Sequence, residues 1–119
     1  MKLSITRIAD RGIADSERLH LKVISDANLT YYAVLNTRYL TPTSLASGAV
    51  QAYWFSGTPV KAGDTVILYT RNGTPSQQKA GDGTTNYFRF WGSTHPLWSQ
   101  TGNCAVLVEL NSWQTSVYE

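Results

Sequence analysis

The sequence is short of several things, and each shortage removes a class of function. Cys104 is the only cysteine among 119 residues. An intrachain disulfide is therefore impossible, and so is a zinc site built on paired cysteines. No apolar run approaches the roughly 18 residues that a membrane helix needs. The opening Met1-Lys2-Leu3-Ser4-Ile5-Thr6 alternates apolar and polar residues and lacks the continuous apolar core of a signal peptide. The expected location is cytoplasmic or phage-particle-associated. Charge of one sign is also missing: ten Lys and Arg face eight Asp and Glu, for a formal net charge of +2. The basic residues are scattered, so a dedicated nucleic-acid-binding role is disfavoured. Two sequons, Asn28-Leu29-Thr30 and Asn72-Gly73-Thr74, are read as chance occurrences of a short motif.

What is present is a period of two. In Arg18-Leu19-His20-Leu21-Lys22-Val23 the leucines and the valine share one face, and the three basic residues share the other. Lys2 to Thr6 reads as a strand with Leu3 and Ile5 inward. Leu29 to Leu35, Val50 to Phe55, Tyr87 to Trp91 and Trp113 to Tyr118 read as further strands from their aromatic and β-branched content. Thr65 to Thr70 is apolar on both parities, as a central strand is. Cys104 to Leu110 places Cys104, Val106, Val108 and Leu110 on one parity, which is read as the buried one. The stretch Tyr39 to Gly48 reads as a connection with a helical turn near Ser44-Leu45-Ala46. Arg71 to Asn86 reads as a long polar loop. The expectation is one domain over residues 1–119. Its class is all-β, an immunoglobulin-like antiparallel β-sandwich of about eight strands. At 42% hydrophobic residues the chain is rich enough in apolar side chains to close a core.

The second half carries a recognisable order of turns and strands. Lys61-Ala62-Gly63-Asp64 leads into Thr65-Val66-Ile67-Leu68-Tyr69. Trp98 precedes Gly102-Asn103 and the strand Cys104 to Leu107, then Glu109-Leu110-Asn111-Ser112-Trp113 leads towards Ser116-Val117-Tyr118. This order resembles the lamin tail domain, an immunoglobulin-like sandwich, most specifically over residues 61–118. Asn103 stands where that family usually has aspartate, and Asn111-Ser112-Trp113 lacks its usual turn glycine. The resemblance implies a module that contacts protein or DNA rather than an enzyme. Gly63 suits a turn needing positive φ, and Asp64 suits bonding to the amides of that turn.

Candidate chemistry is sparse. His95 with Asp82 or Glu109 could form a base with an orienting carboxylate, as in a small hydrolase or nuclease, but no spacing requires it. His20 reads as a solvated histidine, and Cys104 as a buried inert thiol. Gly81-Asp82-Gly83 with Asp64 is too poor in acid for a calcium loop. No cofactor is implied. The aromatics say more: four Trp and seven Tyr are many for this length. The expected function is a non-catalytic binding or assembly module meeting a protein partner through the loop Arg71 to Asn86. Its contact residues are expected to be Arg71, Lys79, Asp82, Tyr87, Arg89, Trp91 and Trp98. The alternative is a carbohydrate-binding module stacking sugars on Tyr87, Trp91 or Trp98.

Overall fold

A computed structural model describes residues 1–41, 44–48 and 50–118. Among these the chain forms strands β1 (Leu3–Ala9), β2 (Arg18–Val23), β3 (Ala27–Asn28), β4 (Tyr32–Thr41), β5 (Ser44–Leu45), β6 (Gln51–Trp54), β7 (Pro59–Val60), β8 (Thr65–Tyr69), β9 (Ser76–Lys79), β10 (Thr85–Phe90) and β11 (Asn103–Glu109). A five-stranded sheet runs β1-β2-β8-β10-β9. In the second sheet β4 pairs with β11, β5 and β6, and β3 and β7 form a small third ladder. No helix among the described residues is long and apolar enough to cross a membrane.

The alternation read in the sequence builds the core. Leu19, Leu21 and Val23 of β2 and Val66 and Leu68 of β8 are buried. They join Tyr32 and Val34 of β4 and Phe55, which follows β6, in one cluster that spans both sheets. A fully buried side chain of this size contributes about 2 kcal/mol relative to exposure. The shared cluster is thus what holds the two sheets to each other. Central placement of the doubly apolar Thr65–Tyr69 segment is as expected, since β8 lies between β2 and β10.

The turn before β8 also follows the sequence. Gly63 has φ of +96°, a conformation that side-chain-bearing residues rarely adopt. Asp64 is 3% exposed; Oδ2 accepts from the Lys61 N–H at 2.9 Å and Oδ1 from the Thr85 N–H at 2.9 Å. One carboxylate therefore closes the turn and fixes the start of β10.

Several expectations are corrected. The five-stranded sheet is mixed rather than antiparallel, because β8 and β10 are parallel. A parallel pair needs a long crossover, and the segment read as a polar loop supplies it. That segment also holds β9, which pairs antiparallel to β10 at the sheet edge. Residues 29–31 form a short 3-10 turn, because the Asn28 side chain accepts from the Thr30 N–H at 3.1 Å, and the strand starts at Tyr32. Ser44–Leu45 pair with β4 instead of turning helically. Pro42 and Thr43, within the expected connection, lie outside the described residues. A register shift between Ile5 and Arg7 breaks the alternation of β1, so Leu3 is buried while Ile5 is 38% exposed. Trp113 to Tyr118 forms no strand; the Leu110 N–H donates to the Tyr31 carbonyl at 2.7 Å, and Trp113 lies 5.2 Å from Trp54, centroid to centroid.

His20 lies on the outer face of β2, opposite Arg7 of β1 and Ile67 of β8. Among the described residues its buried Nε2 has no hydrogen-bond partner. Burial, then the charges of Arg7 and Arg18, hold its pKa below the ordinary value near 6.5. The unfolded chain therefore takes up a proton that the folded chain refuses. Stability should fall as pH drops below about 6.5, and level off below the lowered folded value. Thermal melts at pH 7.5 and pH 5 should show a smaller loss for His20→Gln than for wild type. Equal losses would exclude His20 as the source.

Candidate functional site

The two sheets have different outer faces. On the five-stranded sheet, register places Arg18 beside Tyr69 and Phe90, His20 beside Ile67 and Phe88, and Lys22 beside Thr65 and Asn86. This face is cationic and already engaged. Arg18 bonds Asp10 at 2.9 Å, and Lys22 Nζ donates to the Gly63 carbonyl at 2.8 Å. Tyr69 and Phe90 stack with a 15° interplanar angle, and the Arg71 guanidinium lies 4.8 Å and 5.0 Å from their centroids.

The second sheet is the reverse. Its inward positions are Tyr32, Val34 and Asn36 of β4, opposite Glu109, Leu107 and Ala105 of β11. Alternation leaves Ala33, Leu35 and Thr37 outward, beside Val108, Val106 and Cys104. On the other flank Ala33 pairs with Trp54 and Leu35 with Ala52. None of these outward residues is charged. Tyr31, Trp54 and Trp113 are 47%, 51% and 48% exposed, and the Trp113 ring packs against both of the others. The Trp54 Nε1–H donates to the Thr30 carbonyl at 2.7 Å, which fixes its ring. Beyond them Leu35, Leu45, Val50 and Val106 line an apolar cleft of about 330 Å³. The charge-free face thus runs across the sheet from the aromatic trio to this cleft.

The residues expected to make contact do not assemble into one surface. Tyr87 and Arg89 are each 8% exposed and Trp98 is 1% exposed, so none offers a face to a ligand. Arg89 spends Nη1 on the Ser76 and Phe88 carbonyls and Nη2 on the Thr58 hydroxyl. Trp91 is half-buried between Tyr53 and Trp98. Arg71, Lys79 and Asp82 are outside the core. Arg71 holds its own loop, donating from Nε to the Asp15 carbonyl at 3.0 Å. Lys79 is exposed at the end of β9. Asp82 Oδ1 accepts from the Thr84 hydroxyl at 2.6 Å and its N–H at 3.1 Å, which lowers the Asp82 pKa.

Among the described residues no hydrogen bond links the His95 ring to Asp82 or Glu109. Asp82 precedes β10 and His95 follows it, so the length of that strand, roughly 3.3 Å per residue, separates them. Glu109 accepts from the Tyr32 hydroxyl at 2.7 Å; burial, then this bond, pushes the Tyr32 pKa up to about 12. Among the described residues no group of three or more His, Cys, Asp and Glu is placed to hold a metal ion.

No family model and no curated protein matches this chain. The site therefore rests on its geometry. Sequence reasoning passed over Tyr31, Leu35, Trp54, Val106 and Trp113. Two signals pointed to them: residues 39–60 contain no Asp, Glu, Lys or Arg, and Cys104 to Val108 is apolar on both parities. A doubly apolar strand at the edge of a sheet turns one apolar parity away from the core, and here Cys104, Val106 and Val108 are half-buried on that side.

Proposed function

We propose that this chain is a non-catalytic binding and assembly module. Its contact surface is the charge-free outer face of the four-stranded sheet, and its partner is a protein. The observation that carries this is the placement of Val106, Val108, Leu35 and Trp54 on an outward face without a formal charge. Depletion of charge with enrichment of aromatics marks interface centres, and uncovered apolar patches mark interaction sites. Sugar stacking fits less well, because Trp54 and Trp113 meet at 79° and Tyr31 and Trp113 at 50°. Rings at those angles offer a knobbed surface that interdigitates with side chains rather than one flat platform.

The two sheets with one common core support an immunoglobulin-like sandwich. The Lys61–Asp64 turn into β8 supports kinship with the lamin tail domain. The parallel pairing of β8 with β10 and the unpaired segment 113–118 depart from a strictly antiparallel plan.

The test is affinity capture with three immobilised forms: wild type, Val106→Lys, and a form with residues 74–83 replaced by a short glycine linker. Partners captured by wild type should be retained by the linker form and lost, at least tenfold, with Val106→Lys. Capture unchanged in Val106→Lys but lost in the linker form would return the contact surface to the long loop.

A further inference from the structure

Beside the charge-free face, the fold has an open side where β1 and β11 are both edge strands; among the described residues β1 pairs only with β2 and β11 only with β4. In an antiparallel ladder, residues alternate between bonding their partner and turning their N–H and C=O the other way. The Leu110 N–H donates to the Tyr31 carbonyl, and the Tyr39 N–H to the Gly102 carbonyl, at 2.7 Å and 3.0 Å. Keeping that phase, Cys104, Val106 and Val108 bond Thr37, Leu35 and Ala33. Ala105 and Leu107 then turn their backbone groups outward. On β1 the Ile24 N–H donates to the Lys2 carbonyl at 2.7 Å. Ser4 therefore bonds Lys22, and Leu3 and Ile5 turn outward.

These two rows of backbone groups border one cleft of about 500 Å³, completed by Met1, Ser4, Leu45, Cys104 and Val106. None of its lining side chains is Asp, Glu, Lys or Arg. Unpaired edge groups beside an apolar channel are what an added strand requires. The chain itself holds a segment with the alternating pattern of such a strand. Trp113, Thr115 and Val117 alternate with Gln114 and Ser116, without a charge, yet residues 113–118 are exposed and pair with nothing as a ladder. The segment cannot fill its own cleft along the path it takes. Leu110 bonds back to Tyr31, and Trp113 lies against Trp54 of β6, on the far side of β4 from that edge.

We propose that two copies of this chain exchange their C-terminal segments, residues 113–118 of each adding as a strand to the β1–β11 cleft of the other. An uncharged segment enters an uncharged cleft without ion desolvation, and reciprocal exchange closes the pair with neither cleft left open. Trp113 keeps about half its surface in water where it lies, so its release forfeits less than removing a core ring. The exchange concerns the sheet edge and does not require the charge-free face to bind anything.

Cys104, which lines the cleft, is a built-in probe. Single cysteines at positions 113 through 118 leave the fold intact, because all six residues are exposed. Mild copper-catalysed oxidation should give disulfide dimers linking the new cysteine to Cys104 of the other copy. Positions of one parity should yield at least tenfold more than the other. Absence of Cys104-linked dimers, a Cys104–tail disulfide within one copy, or dimers that persist after Cys104→Ser would each overturn the exchange. Light scattering of the chain truncated after Ser112 should read a monomer where the full chain reads a dimer. A full chain that stays monomeric at millimolar concentration, or a truncated chain that stays dimeric, would also overturn it.

Discussion

Replacing Glu17 with glutamine should destabilise the protein by about 3 kcal/mol. The carboxylate is fully buried, and it accepts four hydrogen bonds. The Thr70 hydroxyl and the Leu97 N–H donate to Oε1 at 2.6 Å and 2.7 Å. The Gly12 and Trp98 N–H groups donate to Oε2 at 2.8 Å and 3.1 Å. One side chain thereby joins the β1–β2 turn, the end of β8 and the segment before β11. Glutamine replaces one of the oxygens with an NH₂ group. In either orientation that group faces at least one backbone N–H, and two donors cannot satisfy each other. Alanine strands the buried Leu97 and Trp98 N–H groups and the partly buried Gly12 N–H, and should cost about 4 kcal/mol, on the order of a small domain's whole stability. Urea titration should show the midpoint fall with little change in slope. A loss under about 1 kcal/mol for Glu17→Ala would mean that water replaces the carboxylate.

Trp98→Ala should cost about 4 kcal/mol, because it empties a ring-sized volume at the centre of the core. Trp98 is 1% exposed and packs edge-on against Trp91 at 6.1 Å. Among the described residues its buried Nε1–H has no acceptor. Trp98→Phe keeps most of the apolar body and removes that orphan donor, so it should cost about 1 kcal/mol. The pair of variants separates two roles. A core residue gives a large alanine effect and a small phenylalanine effect, with no change in ligand capture beyond that due to unfolding. A contact residue gives near-wild-type melting for both variants and loss of capture for alanine. Calorimetry of both variants, run beside the capture assay, distinguishes them.

Much of the architecture was legible in the sequence, and the rest was hidden for definable reasons. Strict alternation in Arg18 to Val23 named the buried face of β2, because only one parity there is apolar. The Gly63-Asp64 turn was legible because positive φ and side-chain capping are local. Cys104 to Val108 was misread. Both parities are apolar, so period alone could not say which one meets the core; register with β4 turns Ala105 and Leu107 inward and Cys104, Val106 and Val108 outward. Trp98 was expected at the contact surface, and Trp54 was given no role. Trp98 sits in the core, while Trp54 follows the outward parity of β6. Glu17 belongs to no motif in the sequence. Its partners Thr70 and Leu97 lie 53 and 80 residues away, so nothing local announced a buried carboxylate. The parallel β8–β10 pair was hidden because a crossover with an embedded edge strand has the composition of a loop.

A melting experiment on Val106→Lys decides whether Val106 lies on an outward, charge-free face. A lysine there should lay its stem along the sheet and place its ammonium in water. The variant should then stay within about 1 kcal/mol of wild type, while binding of an apolar fluorescent dye to the folded protein falls several-fold. A loss of about 3 kcal/mol or more, with dye binding unchanged or increased, would put Val106 in the core and contradict the placement on which the proposed surface depends.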